Sequence, residues 1–124
     1  MKNAHLLFSS IVLLPIAITY GISPDVQIPF GISFSIESVD LKNILRAIMG
    51  LYLAMIDWWI LGVFNSKSWV AATMTNIFFM AGLGVGRLIS VVIDGVPSMN
   101  FHIGMYAEFL IAIWGIYSWR KYDV

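Results

Sequence analysis

The sequence predicts an all-α membrane protein, a bundle of four transmembrane helices in a single domain that covers residues 1–124. Hydrophobic residues make up 60 % of the 124-residue chain and charged residues only 11 %, whereas soluble domains contain roughly 45–50 % and about 25 %. A soluble chain of this length could not bury so much apolar surface in one core. In addition, turn-forming residues divide the chain into four apolar segments, each long enough to be a membrane span.

We expect helices at about 4–21, 41–64, 69–93 and 101–119. The first contains Pro15, which a membrane helix tolerates because neighbouring helices can satisfy the freed carbonyl group. Lys2 ahead of an apolar run is also typical of a signal peptide, but no small-residue cleavage motif follows, so we expect a retained helix. Ser38 or Asp40 is placed to cap the second helix.

The longest polar connection lies between the first two helices, at residues 21–40. Pro24 and Pro29 disfavour a helix in its first half. From Phe30 to Ile36 apolar and polar residues then alternate, which is the period of a β-strand. We therefore expect an extended outer loop that lays its apolar side on the bundle or on the membrane interface. A lid over a pocket is the alternative interpretation.

The distribution of charge predicts which ends of the helices face the cytoplasm. With four spans, the loops on one side carry the basic residues Lys2, Lys67, Arg120 and Lys121. The other side carries Asp25, Glu37, Asp40 and Asp94, with Lys42 at its border. Because basic residues accumulate on the cytoplasmic side, both termini are predicted to lie inside (N-in/C-in). The five tryptophans lie mostly toward the cytoplasmic ends, as is typical of interfacial anchors.

Several function classes lack support in the composition. The formal net charge is zero, so a nucleic-acid partner is not expected. The chain has no cysteine, which excludes disulfides and zinc–thiolate sites. His5 and His102 are expected near opposite membrane faces, and no histidine is suitably placed to activate Ser90 as a nucleophile. We therefore predict no metal, no cofactor and no catalytic residues.

Four ionisable residues lie inside the predicted spans: Arg46, Asp57, Arg87 and Glu108. Such a residue costs roughly 2.5–3.5 kcal/mol at the centre of a membrane helix, and it commonly marks a functional site. A rise of about 1.5 Å per residue puts Arg46, Arg87 and Glu108 in one layer of the outer half. Asp57 is expected nearer the cytoplasmic side.

Helical periodicity suggests that polar or small residues form an inward-facing stripe on three helices. The stripe on the second helix contains Asn43, Arg46, Gly50 and Asp57. The stripe on the third contains Asn76, Met80, Arg87, Ser90 and Asp94. The stripe on the fourth contains Gly104, Glu108, Ala112 and Gly115.

The charges allow three interpretations. In the first, Glu108 neutralises Arg46 or Arg87, Asp94 or Asp40 holds the other arginine, and the network fixes the register of the helices. In the second, the two guanidinium groups line an outward-facing pocket for an anionic headgroup, a carboxylate or a phosphate, which their planar forked donors suit. In the third, Glu108 and Asp57 form a proton or ion relay.

One pattern resembles a known family. The sequence reads Asn43-x-x-Arg46-Ala47-x-x-Gly50-Leu51-Tyr52, then Gly86-Arg87-Leu88-x-Ser90-x-x-x-Asp94-Gly95-x-Pro97, and then Glu108. This pattern is similar to that of the bacterial domain-of-unknown-function 4345 family, over nearly the whole chain. The resemblance implies a small four-helix membrane protein and carries over Arg46, Gly50, Gly86, Arg87, Ser90, Asp94, Gly95 and Glu108. It implies no activity, and Asp57 is not part of the pattern. We expect the protein to lie in the bacterial inner membrane.

We expect a non-enzymatic binding or assembly protein with an outward-facing polar site built on Arg46, Arg87 and Glu108. Its expected partners are membrane lipids, copies of itself or a larger membrane protein. A minimal transporter or channel that uses Glu108 and Asp57 is the alternative. A membrane-embedded lipid-modifying enzyme is the third hypothesis.

Overall fold

The computed structural model of the chain describes residues 1–22, 26–27, 32–33 and 37–123. In this part of the chain there are four long helices: α1 (Ala4–Ile22), α2 (Val39–Phe64), α3 (Trp69–Asp94) and α4 (Met99–Tyr122). Each is long and apolar enough to cross a membrane. The predicted fold class, an all-α protein with four transmembrane helices, is therefore confirmed.

The connections between the helices contain two further elements. A 3-10 turn at Ser66–Ser68 joins α2 to α3. Between α1 and α2, the strands β1 (Val26–Gln27) and β2 (Ile32–Ser33) form a minimal antiparallel pair. Extended backbone is thus found at β1 and β2, whereas residues 23–25, 28–31 and 34–36 of the expected outer loop lie outside the described residues.

The helix ends follow the local chemistry closely. Helix α2 begins at Val39, two residues before the expected start, because the Ser38 side chain caps it by accepting a hydrogen bond from the Leu41 backbone N–H (3.2 Å). Helix α4 continues to Tyr122, three residues beyond the expected end. Arg120 and Lys121 therefore lie in its last turn, where cations interact favourably with the helix dipole.

The four helices pack as two pairs. Helix α1 packs mainly against α2, and α4 packs mainly against α3, while α2 and α3 join the two pairs. Contacts of α1 with α3 and α4 are sparse. The bundle therefore has a seam between α1 and α4 along which the helices are only loosely closed.

The tightest core lies at the end of the bundle that contains the start of α1 and the α2–α3 turn. Leu6, Trp59 and Ala72 are fully buried there, and Trp69 is almost so. The Trp59 indole donates to Thr75 Oγ1 (3.3 Å), and the Trp69 indole donates to the Lys2 carbonyl (3.2 Å). These two tryptophans are buried inside the bundle, where their indole N–H groups find protein partners, and so they are not the interfacial anchors that we expected.

Aromatic rings extend this core along the bundle. Tyr20 of α1 meets Tyr52 of α2 edge-on, with ring centroids 5.6 Å apart. Tyr52 and Trp59 both contact Phe79 of α3, at 5.2 and 5.4 Å. These edge-to-face contacts link the first three helices.

Glycines allow α3 and α4 to approach closely. A Cβ added at Gly115 would lie 2.7 Å from Ile77 Cγ1, and one at Gly84 would lie 2.8 Å from the Phe109 ring. Small residues have this role at helix contacts in membranes, where dispersion contacts, rather than water exclusion, hold helices together. Gly50, in contrast, has no other part of the chain within 4 Å of its added Cβ.

This difference between the glycines predicts two different responses to a larger side chain. We expect Gly115→Leu to lower the free energy of unfolding by about 1–3 kcal/mol, the usual cost of overpacking a well-packed contact. Gly50→Leu is the matched control and should change it far less. The measurement is reversible unfolding in detergent micelles, and equal losses for the two variants would contradict the close α3–α4 packing.

Candidate functional site

An ion pair joins α3 to α4. The two helices are antiparallel and are connected by a short turn at residues 95–98, in which Gly95 adopts a left-handed φ of 99°. The turn brings the last third of α3 beside the first half of α4. There Arg87 Nε donates a hydrogen bond to Glu108 Oε1, and the two side chains are 29 % and 10 % exposed.

Glu108 keeps one oxygen unused in this arrangement. Its Oε2 atom is buried and has no hydrogen-bond partner among the described residues. A buried acceptor without a partner costs about 1–3 kcal/mol, and more when it is charged. The pair is therefore an incompletely satisfied polar group inside an apolar bundle.

A cavity of about 240 Å³ lies beside the ion pair. Arg87 and Glu108 line it together with mainly apolar residues from all four helices. Helix α1 contributes Val12, Leu13, Ile16 and Tyr20, α2 contributes Tyr52, and α3 contributes Met80 and Leu83. Helix α4 contributes Phe101, Ile103, Gly104, Ala107 and Ile111, with Asn100 at its start. The cavity lies along the loosely closed seam between α1 and α4.

Apolar side chains close the bundle beneath the ion pair. Met80 is 1 % exposed and lines the cavity, while Ile111 and Ala112 are buried one turn further along α4 than Glu108. These residues separate the ion pair from the tryptophan-rich end of the bundle.

A second, smaller cavity of about 130 Å³ lies on the other side of Arg87. Ser90, Pro97 and His102 line it, and it shares Arg87 and Phe101 with the larger cavity. The Arg87 guanidinium carbon lies 5.9 Å from the centroid of the Phe101 ring, within the range of a cation–π contact. The Arg87 side chain therefore borders both cavities.

The other predicted site residues lie away from this pair. Arg46 Nη1 donates a hydrogen bond to the Gly21 carbonyl, one of the last carbonyl groups of α1, which have no partner within their own helix. Arg46 lines neither cavity within the described part of the chain. Asn43 is exposed, and Ser90 donates to the exposed Asp94 (2.8 Å). The structure thus brings together Arg87 and Glu108 but not Arg46.

The expected inward face of α2 proves to be its outward face. Asn43, Arg46, Gly50 and Asp57 are all exposed. The buried residues of α2 are instead Tyr52, Ile56, Trp59 and Gly62. Large aromatic rings provide more packing contact inside the bundle than the polar stripe would, and this decides the rotation of the helix. Asp57 therefore lies on the outer surface of α2.

Buried polar side chains that were not predicted as a site lie at the tryptophan-rich end. His5 Nε2 forms a hydrogen bond with Thr73 Oγ1 (3.0 Å), and Ser118 is buried on the facing helix α4. Asn76 is fully buried, and neither atom of its side-chain amide has a hydrogen-bond partner among the described residues. The stripe predicted for the third helix had already placed Asn76 and Met80 on its inward face, and both are buried. His5 gave no such signal, because it lies at the edge of its span.

The described residues show no arrangement for a metal ion, since no three His, Cys, Asp or Glu side chains come together. What they do hold is one ion pair next to a largely apolar cavity.

The fold and this pair define a class, the small multi-pass membrane proteins built as a four-helix bundle. The chain belongs to the family described as Domain of unknown function (DUF4345), whose family model matches residues 1–118. Comparisons with curated proteins and with solved structures found no match.

The ion pair predicts strong coupling between its two residues. We expect Arg87→Ala to lower the free energy of unfolding by about 3–5 kcal/mol, because it leaves the buried Glu108 carboxylate unpaired, and Glu108→Ala to lower it less, because the remaining Arg87 side chain is 29 % exposed. The double variant should lose less than the sum of the two. Reversible unfolding in micelles measures all three. A double-mutant cycle made of Ser90→Ala, Asp94→Ala and the double variant serves as the control. These two residues form an exposed hydrogen bond, so we expect a coupling energy below about 1 kcal/mol between them. Additive losses at Arg87 and Glu108 would show that their contact contributes nothing.

Proposed function

We propose that this protein is a non-enzymatic binding protein of the bacterial inner membrane. On its outward-facing side it holds the anionic group of a lipid headgroup or of a small anion. The observation that carries the proposal is the position of Arg87, whose guanidinium group borders a cavity that opens between α1 and α4.

The chemistry of the guanidinium group suits this role. It has five N–H donors in a rigid planar fork, and the contact with Glu108 is made through Nε. The donors on the two Nη atoms match the geometry of a phosphate or carboxylate, which arginine binds more selectively than lysine does. Arg87 thus keeps donors for a ligand while Glu108 offsets the cost of its burial.

A purely structural ion pair is the competing interpretation. Such a pair would be expected to satisfy both carboxylate oxygens and to be closely packed on all sides. The unpartnered Glu108 Oε2 and the cavity beside it favour a binding role instead.

Transport receives less support from the same geometry. A carrier or channel needs a polar route across the membrane, but Met80 and Ala112 are buried beneath the ion pair. Asp57, the second carboxylate of the hypothetical relay, lies on the outer surface of α2. A lipid-modifying enzyme would need a nucleophile or a metal, and neither was predicted from the sequence.

The exposed carboxylate of Asp57 supports association with another membrane protein or with a second copy of the chain. A charge at this depth is costly when it faces lipid, and a neighbouring protein surface would shield it. Binding and assembly are therefore proposed together, the first through Arg87 and the second through the outer face of α2.

Native mass spectrometry of the protein extracted with its lipids tests the binding role. We expect the wild type to retain a ligand that carries an anionic group, and Arg87→Gln to lower its occupancy by roughly tenfold or more, as loss of a charged hydrogen bond implies. Arg46→Gln removes a guanidinium group outside the cavity and should leave the occupancy unchanged. Equal occupancy in the wild type and in Arg87→Gln would refute the proposal.

The N-in/C-in orientation, on which an outward-facing site depends, has its own test. The chain lacks cysteine, so Ser66→Cys and Ser98→Cys each introduce a single thiol, one at each end of α3. In intact cells with a permeable outer membrane, a membrane-impermeant maleimide should label the Ser98→Cys variant. The Ser66→Cys variant should react only after the inner membrane is opened. The reverse pattern would place the ion pair in the cytoplasmic half.

A further inference from the structure

The larger cavity has two chemically different parts. Arg87 and Glu108 form a polar end, while Leu13, Ile16 and Ile103 belong to its apolar walls. Its volume of about 240 Å³ lies just below the roughly 300–1,000 Å³ typical of ligand pockets. Apolar walls do not hold water well, because a water molecule needs polar partners. A free anion would fill the polar end alone and would leave the apolar part empty.

The opening of the cavity favours a ligand that enters from the lipid. Val12 of α1 is 38 % exposed and Ile103 of α4 is 56 % exposed, and both belong to the cavity lining. These exposed apolar residues face the hydrocarbon of the membrane in a four-span protein. A hydrocarbon chain can therefore pass from the bilayer into the seam between α1 and α4 without crossing a polar barrier.

The polar end calls for a donor as well as an acceptor. The Nη donors of Arg87 suit an anionic group, whereas the unpartnered Glu108 Oε2 requires an N–H or O–H donor. The terminal torsion of a glutamate is broad and roughly two-fold, so rotation about it can exchange the two oxygens of Glu108, which lines the cavity. Because Arg87 and Glu108 together have no net charge, a ligand that carries both signs adds no net charge to the site.

From these features we infer that the ligand is a phospholipid whose headgroup joins a phosphate to a primary ammonium group. The phosphate binds Arg87, the ammonium group donates to Glu108, and one hydrocarbon chain lies along the apolar wall between α1 and α4. This inference rests on the proposed binding function and names the ligand class for the same site. It differs from that function in requiring both the donor group and the hydrocarbon chain.

Two lipids that differ only at the donor test the headgroup. Monoacyl phosphoethanolamine and monoacyl phosphocholine of equal chain length share the phosphate and the positive charge, but the trimethylated nitrogen has no N–H group. We expect the purified full-length protein in micelles to bind the phosphoethanolamine lipid roughly tenfold more tightly, the effect of one charged hydrogen bond. Titrations followed by native mass spectrometry measure both affinities. In Glu108→Gln, which loses the negative charge, this preference should disappear.

A blocking variant tests the chain without altering the ion pair. A Cβ added at Gly104 meets nothing within 4 Å, and Gly104 lines the cavity, so Gly104→Leu introduces a side chain at the cavity without a clash at its Cβ. We expect it to abolish binding of the phosphoethanolamine lipid. Gly82→Leu is the matched control, because Gly82 is an exposed helical glycine with equally open space, and it should bind as the wild type does.

The outcomes separate this inference from the proposed function. If the two lipids bind equally tightly and their binding still depends on Arg87, the inferred headgroup is overturned and the proposed function stays intact. Binding of inorganic phosphate as tight as that of the lipid, and insensitive to Gly104→Leu, would overturn the inferred chain. If neither of the two lipids nor phosphate binds in a way that depends on Arg87, the inference and the proposed function are both overturned.

Discussion

Arg87 and Glu108 lie on neighbouring antiparallel helices among mainly apolar side chains, where each charge offsets the cost of burying the other. Their contact restricts how far α3 and α4 can slide past each other. The glycine contacts further along α4 are consistent with the same register, since Gly115 faces Ile77 and Gly84 faces Phe109. The charged contact near the turn and the close approach near the middle of the helices thus set one arrangement of this pair.

The rest of the bundle follows from how α1 and α2 join this pair. Aromatic contacts through Tyr52 and Phe79 attach α2 to α3, and α1 then packs mainly on α2. At the tryptophan-rich end Phe8 of α1 meets Trp114 of α4, with ring centroids 5.7 Å apart, whereas beside the ion pair α4 presents Gly104 and Ala107 to the cavity. The bundle is therefore tightly packed at its tryptophan-rich end and open at the end that carries the ion pair.

The sequence was a good guide to the positions along the chain and a poorer guide to the rotation of the helices. Hydropathy and turn residues predicted the four spans, and their ends were within about three residues of those observed. In a soluble protein, the hydrophobic face of a helix identifies its buried side. In a membrane, lipid and protein interior are both apolar, so the same pattern does not indicate which side faces inward.

The candidate site shows this distinction residue by residue. Of the stripe predicted on α4, Glu108, Ala112 and Gly115 are buried as its composition indicated, while Gly104 is partly exposed and lines the cavity. For α2 the prediction that the polar stripe with Arg46 faces inward was wrong, because the packing of Tyr52 and Trp59 decided the rotation of the helix. Arg46 instead donates a hydrogen bond to the Gly21 carbonyl. A backbone acceptor at the end of another helix leaves no trace in the sequence pattern.

The polar residues of α1 have a consequence for the order in which the bundle is assembled. Ser9 and Ser10 donate to carbonyl groups of their own helix, so their hydroxyl groups are satisfied as soon as α1 is helical in lipid. His5 is different, because its partner Thr73 lies on α3, and Ser118 near the same end belongs to α4. During synthesis α1 is made first and α4 last. The first helix must therefore remain in the bilayer without the Thr73 partner of its histidine until the third has been inserted, and the polar end of the bundle closes only after α4 has joined.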